Sequence, residues 1–148
     1  MNDREQIINN LKALLKGMDR DSCVEMVFLY GSWARGFPRL DSDIDLAVVF
    51  SRELSCEDES FERITDLCLS LCRELRREVN IIQIHRDFRR PMLYYNAVVL
   101  GIPLYVRTRE DYIALKNEAI HQMEDFSLFG LRWQYQTAKK NLEAVDHA

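Results

Sequence analysis

Hydrophobic and polar positions along this chain follow two periods, and each change of period marks a new element. Over residues 3–16, Ile7, Ile8, Leu11, Leu14, Leu15 and, just beyond, Met18 recur at three- and four-residue steps, the spacing of one helix face. Asp3 with Gln6 resembles a capping box and Gly17 is a C-terminal stop, so a first helix is predicted there. Residues 24–30 (ending Glu25-Met-Val-Phe-Leu-Tyr30) are apolar and partly β-branched, and Gly31 bounds them, which predicts a short buried strand. From residue 43 the pattern alternates: Ile44, Leu46, Val48 and Phe50 oppose Asp43, Asp45, Ala47 and Val49. This predicts a second strand over 43–50, entered through Asp41-Ser42, with Gly36 and Pro38 in the loop before it.

The helical period returns over residues 57–76, where Phe61, Ile64, Leu67, Cys68, Leu71 and Leu75 make a buried face. A strand over 78–84 follows, then a helix over 88–100 with Pro91 in its first turn and Gly101 just past its end, then a strand over 103–106. The order implies an α/β (α+β) domain, a small mixed sheet of about four strands with flanking helices, occupying residues 1–106. Residues 107–148 form a helical extension, opened by the capping pair Thr108 and Asp111, with a break expected near Gly130. Phe126, Phe129 and Trp133 recur there at helical spacing, beside Tyr112 and Tyr135. Such a tail either packs back on its own sheet or serves as a subunit or partner surface, and both can hold for different parts of it.

Composition narrows the classes. A chain of 148 residues, 47% hydrophobic and 30% charged, can bury a single core and is not disordered. Its net charge of −4 and the lack of a long basic patch argue against gripping a long nucleic acid. The local cluster Arg86, Arg89 and Arg90 reads mainly as a solvated helix start. With a polar N-terminus and no apolar run near 18 residues, neither a signal peptide nor a membrane span is expected, and a cytoplasmic protein is. Cys23, Cys56, Cys68 and Cys72 form no Cys-x-x-Cys motif and read as small packing residues; His85, His121 and His147 are scattered.

Two stretches carry chemistry. At Gly31-Ser32-Trp33-Ala34-Arg35, Gly31 permits a sharp turn and a close backbone approach to a ligand. Unpaired N–H groups at the helical turn that Ser32 opens favour phosphate oxygens, with the Ser32 hydroxyl and Arg35 as further donors. An ordinary strand-to-helix turn with Ser32 as N-cap is the alternative. At Asp43-Ile44-Asp45, residues two apart on a strand project to one side, roughly 6.6 Å apart along the chain. Paired carboxylates are costly without a cation between them, and hard oxygen ligands suit Mg²⁺, whose shell substrate phosphates usually complete. Asp41 could equally be a solvated turn residue; Asp45, flanked by apolar neighbours, is harder to explain that way.

Gly31-Ser32, ten residues, then Asp43-x-Asp45 resembles the signature of the DNA polymerase beta-like nucleotidyltransferase superfamily, and the compact Gly-Ser-x-Ala-Arg-Gly…Ser-Asp-Ile-Asp-Leu is similar to its minimal nucleotidyltransferases (MNT). The resemblance implies a palm-like fold, a nucleoside triphosphate bound with Mg²⁺, and transfer of a nucleoside monophosphate, AMP from ATP, to a hydroxyl. It assigns Gly31, Ser32 and Arg35 to phosphate, Asp43 and Asp45 to metal, and Asn80 to the place near the acceptor. It also implies a setting: such proteins are often antitoxins that bind a HEPN-type toxin and can adenylylate a tyrosine on it. The extension at 107–148 then becomes a surface for that toxin or for a homo-oligomer.

This sequence departs from the family at one position. The family presents a third carboxylate from a later strand, and Asn80 stands there; Glu78, two residues earlier, is on the same face. An amide can ligate or accept a hydrogen bond but is no base at neutral pH. An active enzyme, a slow enzyme and a nucleotide-binding relic that neutralises a partner by contact are all compatible with it. A small-molecule nucleotidyltransferase ranks lower, because only about forty residues remain to hold such a substrate.

Overall fold

The computed structural model describes residues 3–17, 23–36, 38, 41–51 and 57–146. Its elements, in chain order, are α1 (Asp3–Lys16), β1 (Val24–Tyr30), α2 (Ser32–Arg35), β2 (Ile44–Phe50), α3 (Glu57–Leu75), β3 (Val79–Gln83), α4 (Pro91–Val98), β4 (Ile102–Val106) and α5 (Arg109–Asp146). β1 and β2 are apolar on both faces over most of their length, and a strand of that kind belongs in the middle of a sheet. They take that place: the order is β3-β2-β1-β4, with β1 antiparallel to β2 and β4 and β2 parallel to β3. The parallel pair needs a crossover, which α3 supplies.

Alternation along the strands sorts side chains into two cores. Val27, Leu29, Ile44, Leu46 and Val48 face the layer that holds Leu11 and Leu15 of α1 and Leu71 of α3. Met26, Phe28, Ala47 and Val49 face the opposite layer, where Tyr94, Ala97 and Val98 of α4 meet Leu115 and Ala119 of α5. Helices thus cover both faces, and the expected mixed α/β architecture holds.

The differences from the sequence reading are local. α4 is confined to Pro91–Val98 instead of 88–100, because Phe88 adopts φ 50° and the chain turns through an Asp87–Arg89 ion pair before Arg90 caps the helix. Gly130 does not break the tail: α5 runs unbroken for 38 residues. One glycine costs a helix only about 1 kcal/mol. Phe61 is not in the core; it is 70% exposed, while Ser60, one residue and so about 100° around the helix, is buried. Met18 and Cys56 lie outside the described residues. Cys68 directs its thiol to the Val79 carbonyl at 3.0 Å, and burial pushes that thiol above its usual range, as suits a packed, unreactive group. No helix of the described residues is long and apolar enough to cross a membrane.

Leu46 is fully buried at the centre of the sheet, so Leu46→Ala is expected to cost about 3 kcal/mol in urea unfolding. Phe61→Ala is expected to stay within about 0.5 kcal/mol, and a larger loss would show that α3 faces the other way.

Candidate active site

Strand register assembles the site. Tyr30 of β1 pairs with Asp45 of β2, and Asp45 pairs with Asn80 of β3. The three residues therefore form a row across three strands, at the end where β1 stops and β2 and β3 begin. Asp45 shares its face with Ala47 and Val49, so the row lies on the α4 side of the sheet. Asp43 stands just ahead of β2, and the Asn80 side-chain amide donates to its Oδ2 at 3.2 Å. The sequence-predicted residues from two distant segments thus meet.

Gly31 closes the site from β1. Its φ of 77° is in the left-handed region, and a Cβ built there would lie 2.5 Å from Asp45 Oδ2. The backbone therefore reaches the carboxylate only because no side chain intervenes. Ser32 is the first residue of α2 rather than its cap; the cap is Gly31 and makes no side-chain bond, so the reading of Ser32 as an N-cap does not hold. Gly36 ends the turn at φ 86°, its N–H donating to the Ser32 carbonyl.

Three residues that the sequence reading did not single out fix this turn. Trp33 is buried, and its indole Nε1 donates to the Ser42 carbonyl at 3.2 Å, joining the turn to the approach of β2. Arg4 of α1 donates from Nε to the Trp33 carbonyl at 2.8 Å and from Nη2 to the Ala34 carbonyl at 3.0 Å. The Arg77 guanidinium lies 5.1 Å from the Trp33 ring centroid. Only the tryptophan left a signal in the sequence, as a large apolar residue in an otherwise small, polar turn.

The electrostatics of the row is unfavourable as it stands. Burial raises the Asp45 carboxyl above the usual carboxylate range; the Asn80 hydrogen bond opposes this and the Asp43 charge adds to it. Burial likewise raises the Tyr30 phenol, reinforced by Asp45 and opposed by Arg90. Two carboxylates and an amide oxygen make a hard donor set that suits a divalent cation such as Mg²⁺. Among the described residues no cluster of three His, Cys, Asp or Glu side chains completes a shell, so a cation here would draw its remaining ligands from water or a bound phosphate. Beside Gly31 opens a cleft of about 200 Å³ lined by Tyr30, Ala34, Arg35, Leu93, Asn96 and Leu100. That volume admits part of a nucleotide, with the rest in solvent.

The remaining candidates are peripheral. Arg35 is exposed at the rim of the cleft. Glu78 precedes β3, exposed, and its carbonyl accepts the Ile44 N–H at 2.9 Å. Of the arginine cluster, Arg89 pairs with Asp87 at 3.0 Å in the loop, while the Arg90 charge reaches Tyr30.

A family model described as polymerase beta nucleotidyltransferase matches residues 9–110. The chain belongs to that family. No curated protein sequence matches it. Among solved structures it is similar to a toxin-antitoxin with AMP-PNP, at 19% identity and a TM-score of 0.63, covering 90% of this chain and 97% of the other. The toxin-antitoxin MntA-HepT gives 17% identity and a TM-score of 0.61, covering 90% and 97%. A tri-AMPylated Shewanella oneidensis HEPN toxin in complex with MNT antitoxin gives 16% and 0.61, covering 90% and 98%. At these identities the likeness establishes the nucleotidyltransferase fold.

Because the folded protein holds the Asp45 carboxyl raised, it retains a proton that the unfolded chain loses first, so this group's contribution to stability falls as pH rises above the ordinary carboxylate range. Asp45→Asn is expected to raise the thermal midpoint of the unliganded protein at pH 7, with the gain vanishing in acid; a lowered midpoint at pH 7 would contradict the burial effect. Gly31→Ala is expected to lower stability by about 1–3 kcal/mol through strain at positive φ and the clash with Asp45 Oδ2, read by urea unfolding; an unchanged midpoint would show that the turn can relax.

Proposed function

We propose that the protein is a Mg²⁺-dependent nucleotidyltransferase that moves AMP from ATP to a tyrosine hydroxyl of a HEPN-type partner, and so acts as an antitoxin. The observation that carries the chemical half is the row Tyr30–Asp45–Asn80 with Asp43 beside it and the Gly31 backbone against Asp45. Family membership and the fold shared with MNT–HEPN complexes support the partner half.

In this reading the α2 N–H groups and Ser32 hold the triphosphate, Arg35 adds charge at the rim, and the cleft between α2 and α4 takes part of the nucleoside. Asp43 and Asp45 would hold Mg²⁺, which when bound neutralises the triphosphate and polarises the reacting phosphoryl group. The acceptor oxygen bonds to the α-phosphorus as the bond to pyrophosphate breaks, and its proton passes to solvent. Asn80 orients Asp43 and takes no proton. A phenol, with an ordinary pKa near 10, is the protein hydroxyl that suffers least from the missing base, which favours tyrosine over serine or threonine. Residues 107–148 serve as an extension of this domain rather than a second one, and the protein acts in the cytoplasm on a protein acceptor, not on long nucleic acid.

The Asn80–Asp43 hydrogen bond also favours a second reading, a module that binds nucleotide and partner without turnover. Incubation with labelled ATP, Mg²⁺ and a HEPN protein separates the two. Label transfer to the partner, abolished in Asp43→Ala/Asp45→Ala, is expected; tight complex formation without label establishes the second reading instead. Asn80→Asp is expected to speed transfer by about 10²-fold, the lower end of general-base effects, and an unchanged or lower rate would show that this position does not limit the reaction.

A further inference from the structure

The first half of α5 lies on α4 through Leu115 and Ala119, and Phe126 and Trp133 continue that same helix face past the domain. On the other side of the helix a separate pattern begins. Leu128, Leu131, Tyr135, Ala138, Leu142 and Val145 follow one another at steps of three, four, three, four and three, an uninterrupted a/d seam. All are exposed; the five large ones are 59% to 71% so. The seam is about 27 Å long, at 1.5 Å per residue. At its N-terminal end Leu128 shares a mainly apolar groove of about 410 Å³ with Tyr95 of α4 and Ile120, Met123, Glu124 and Ser127 of α5. A helix with apolar stripes on opposite sides is made to lie between two surfaces.

Charge identifies the occupant of the seam. The chain as a whole is acidic at −4, yet along the seam, from Leu128 to Val145, it carries Arg132, Lys139 and Lys140 against a single carboxylate, Glu143. Arg132 and Lys139 sit at the flanking positions beside the seam, and both are exposed. A second copy of the chain fits poorly. Antiparallel pairing fills every layer only with Leu128 opposite Val145, Leu131 opposite Leu142 and Tyr135 opposite Ala138, which sets Arg132 against Lys139 of the other copy twice. Parallel pairing stacks Tyr135 on Tyr135 and leaves Ala138 facing Ala138 across a void.

We infer that this seam docks an amphipathic helix of a different protein, one with an apolar stripe at three- and four-residue steps and carboxylates along its edges. The inference rests on the reading of this chain as one half of a two-protein system, and it does not depend on nucleotide transfer. The seam shares no residue with the Tyr30–Asp45–Asn80 row or with the cleft beside Gly31, so the partner can be held at α5 while another of its segments enters the site.

The test uses the full chain and two synthetic three-heptad peptides with leucine at every seam position, one flanked by glutamate and its twin by lysine, read by fluorescence anisotropy. The glutamate peptide is expected to bind about tenfold or more tightly than its twin. Arg132→Glu/Lys139→Glu is expected to reverse that preference, and Leu131→Glu/Leu142→Glu to abolish both complexes with the circular dichroism and thermal midpoint unchanged. Equal binding of the two peptides, or binding of neither, overturns the inference. So does sedimentation of the chain alone as a dimer that Leu131→Glu/Leu142→Glu dissolves. Where a HEPN protein co-produced with the chain co-purifies with that double variant as well as with the unaltered chain, the seam assignment falls and the partner reading stands.

Discussion

The side-chain period of strand β2 is the constraint on which the site depends. Ile44, Leu46 and Val48 are fully buried against α1 and α3, and a strand with period two then has no choice about where Asp43 and Asp45 go. A slip of one residue would drive both carboxylates into the core under α1 and α3 and force Ile44, Leu46 and Val48 into the layer that Ala47 and Val49 fill against α4 and α5. Hydrophobic burial on one face thus sets the electrostatics of the other. The antiparallel partner β1 brings Tyr30 and Gly31 to Asp45, and the parallel partner β3 brings Asn80.

Much of this was legible in the sequence because it rests on periodicity and on spacing within one segment. The strands over 24–30 and 43–50, the Gly31-Ser32 turn and the shared face of Asp43 and Asp45 all follow from local pattern. The approach of Gly31 to Asp45 is a tertiary fact that the glycine only hints at. The supports of α2 were invisible, because Arg4 looks like any polar residue on the outer side of an amphipathic helix until the fold brings the Trp33 and Ala34 carbonyls to it. Phe61 and Gly130 misled for opposite reasons. A large apolar residue at helical spacing reads as core whether or not a surface faces it, and a glycine reads as a break even where the flanking helix is long enough to carry it.

The site is held in a state that the isolated chain does not favour. A partly buried carboxylate beside a second one costs stability, and the surrounding sheet is what keeps it in place. Asn80 moderates the arrangement by donating to Asp43 and by opposing the rise at Asp45. An aspartate there would give one more ligand and one more repulsion. The amide therefore gives a quieter unliganded protein.

The double hydrogen bond from Arg4 has a mechanical meaning. It fastens the first turn of α1 to the turn α2 beside Gly31, which at four residues has too few backbone bonds of its own to persist. Fraying at the chain's N-terminal end is then not a local event. When α1 opens, α2 loses its clamp, so amide protons of the two helices would exchange with solvent as one cooperative unit although 29 residues separate Arg4 from Trp33. The end of the sheet that carries Tyr30, Asp45 and Asn80 is, in that sense, as rigid as α1.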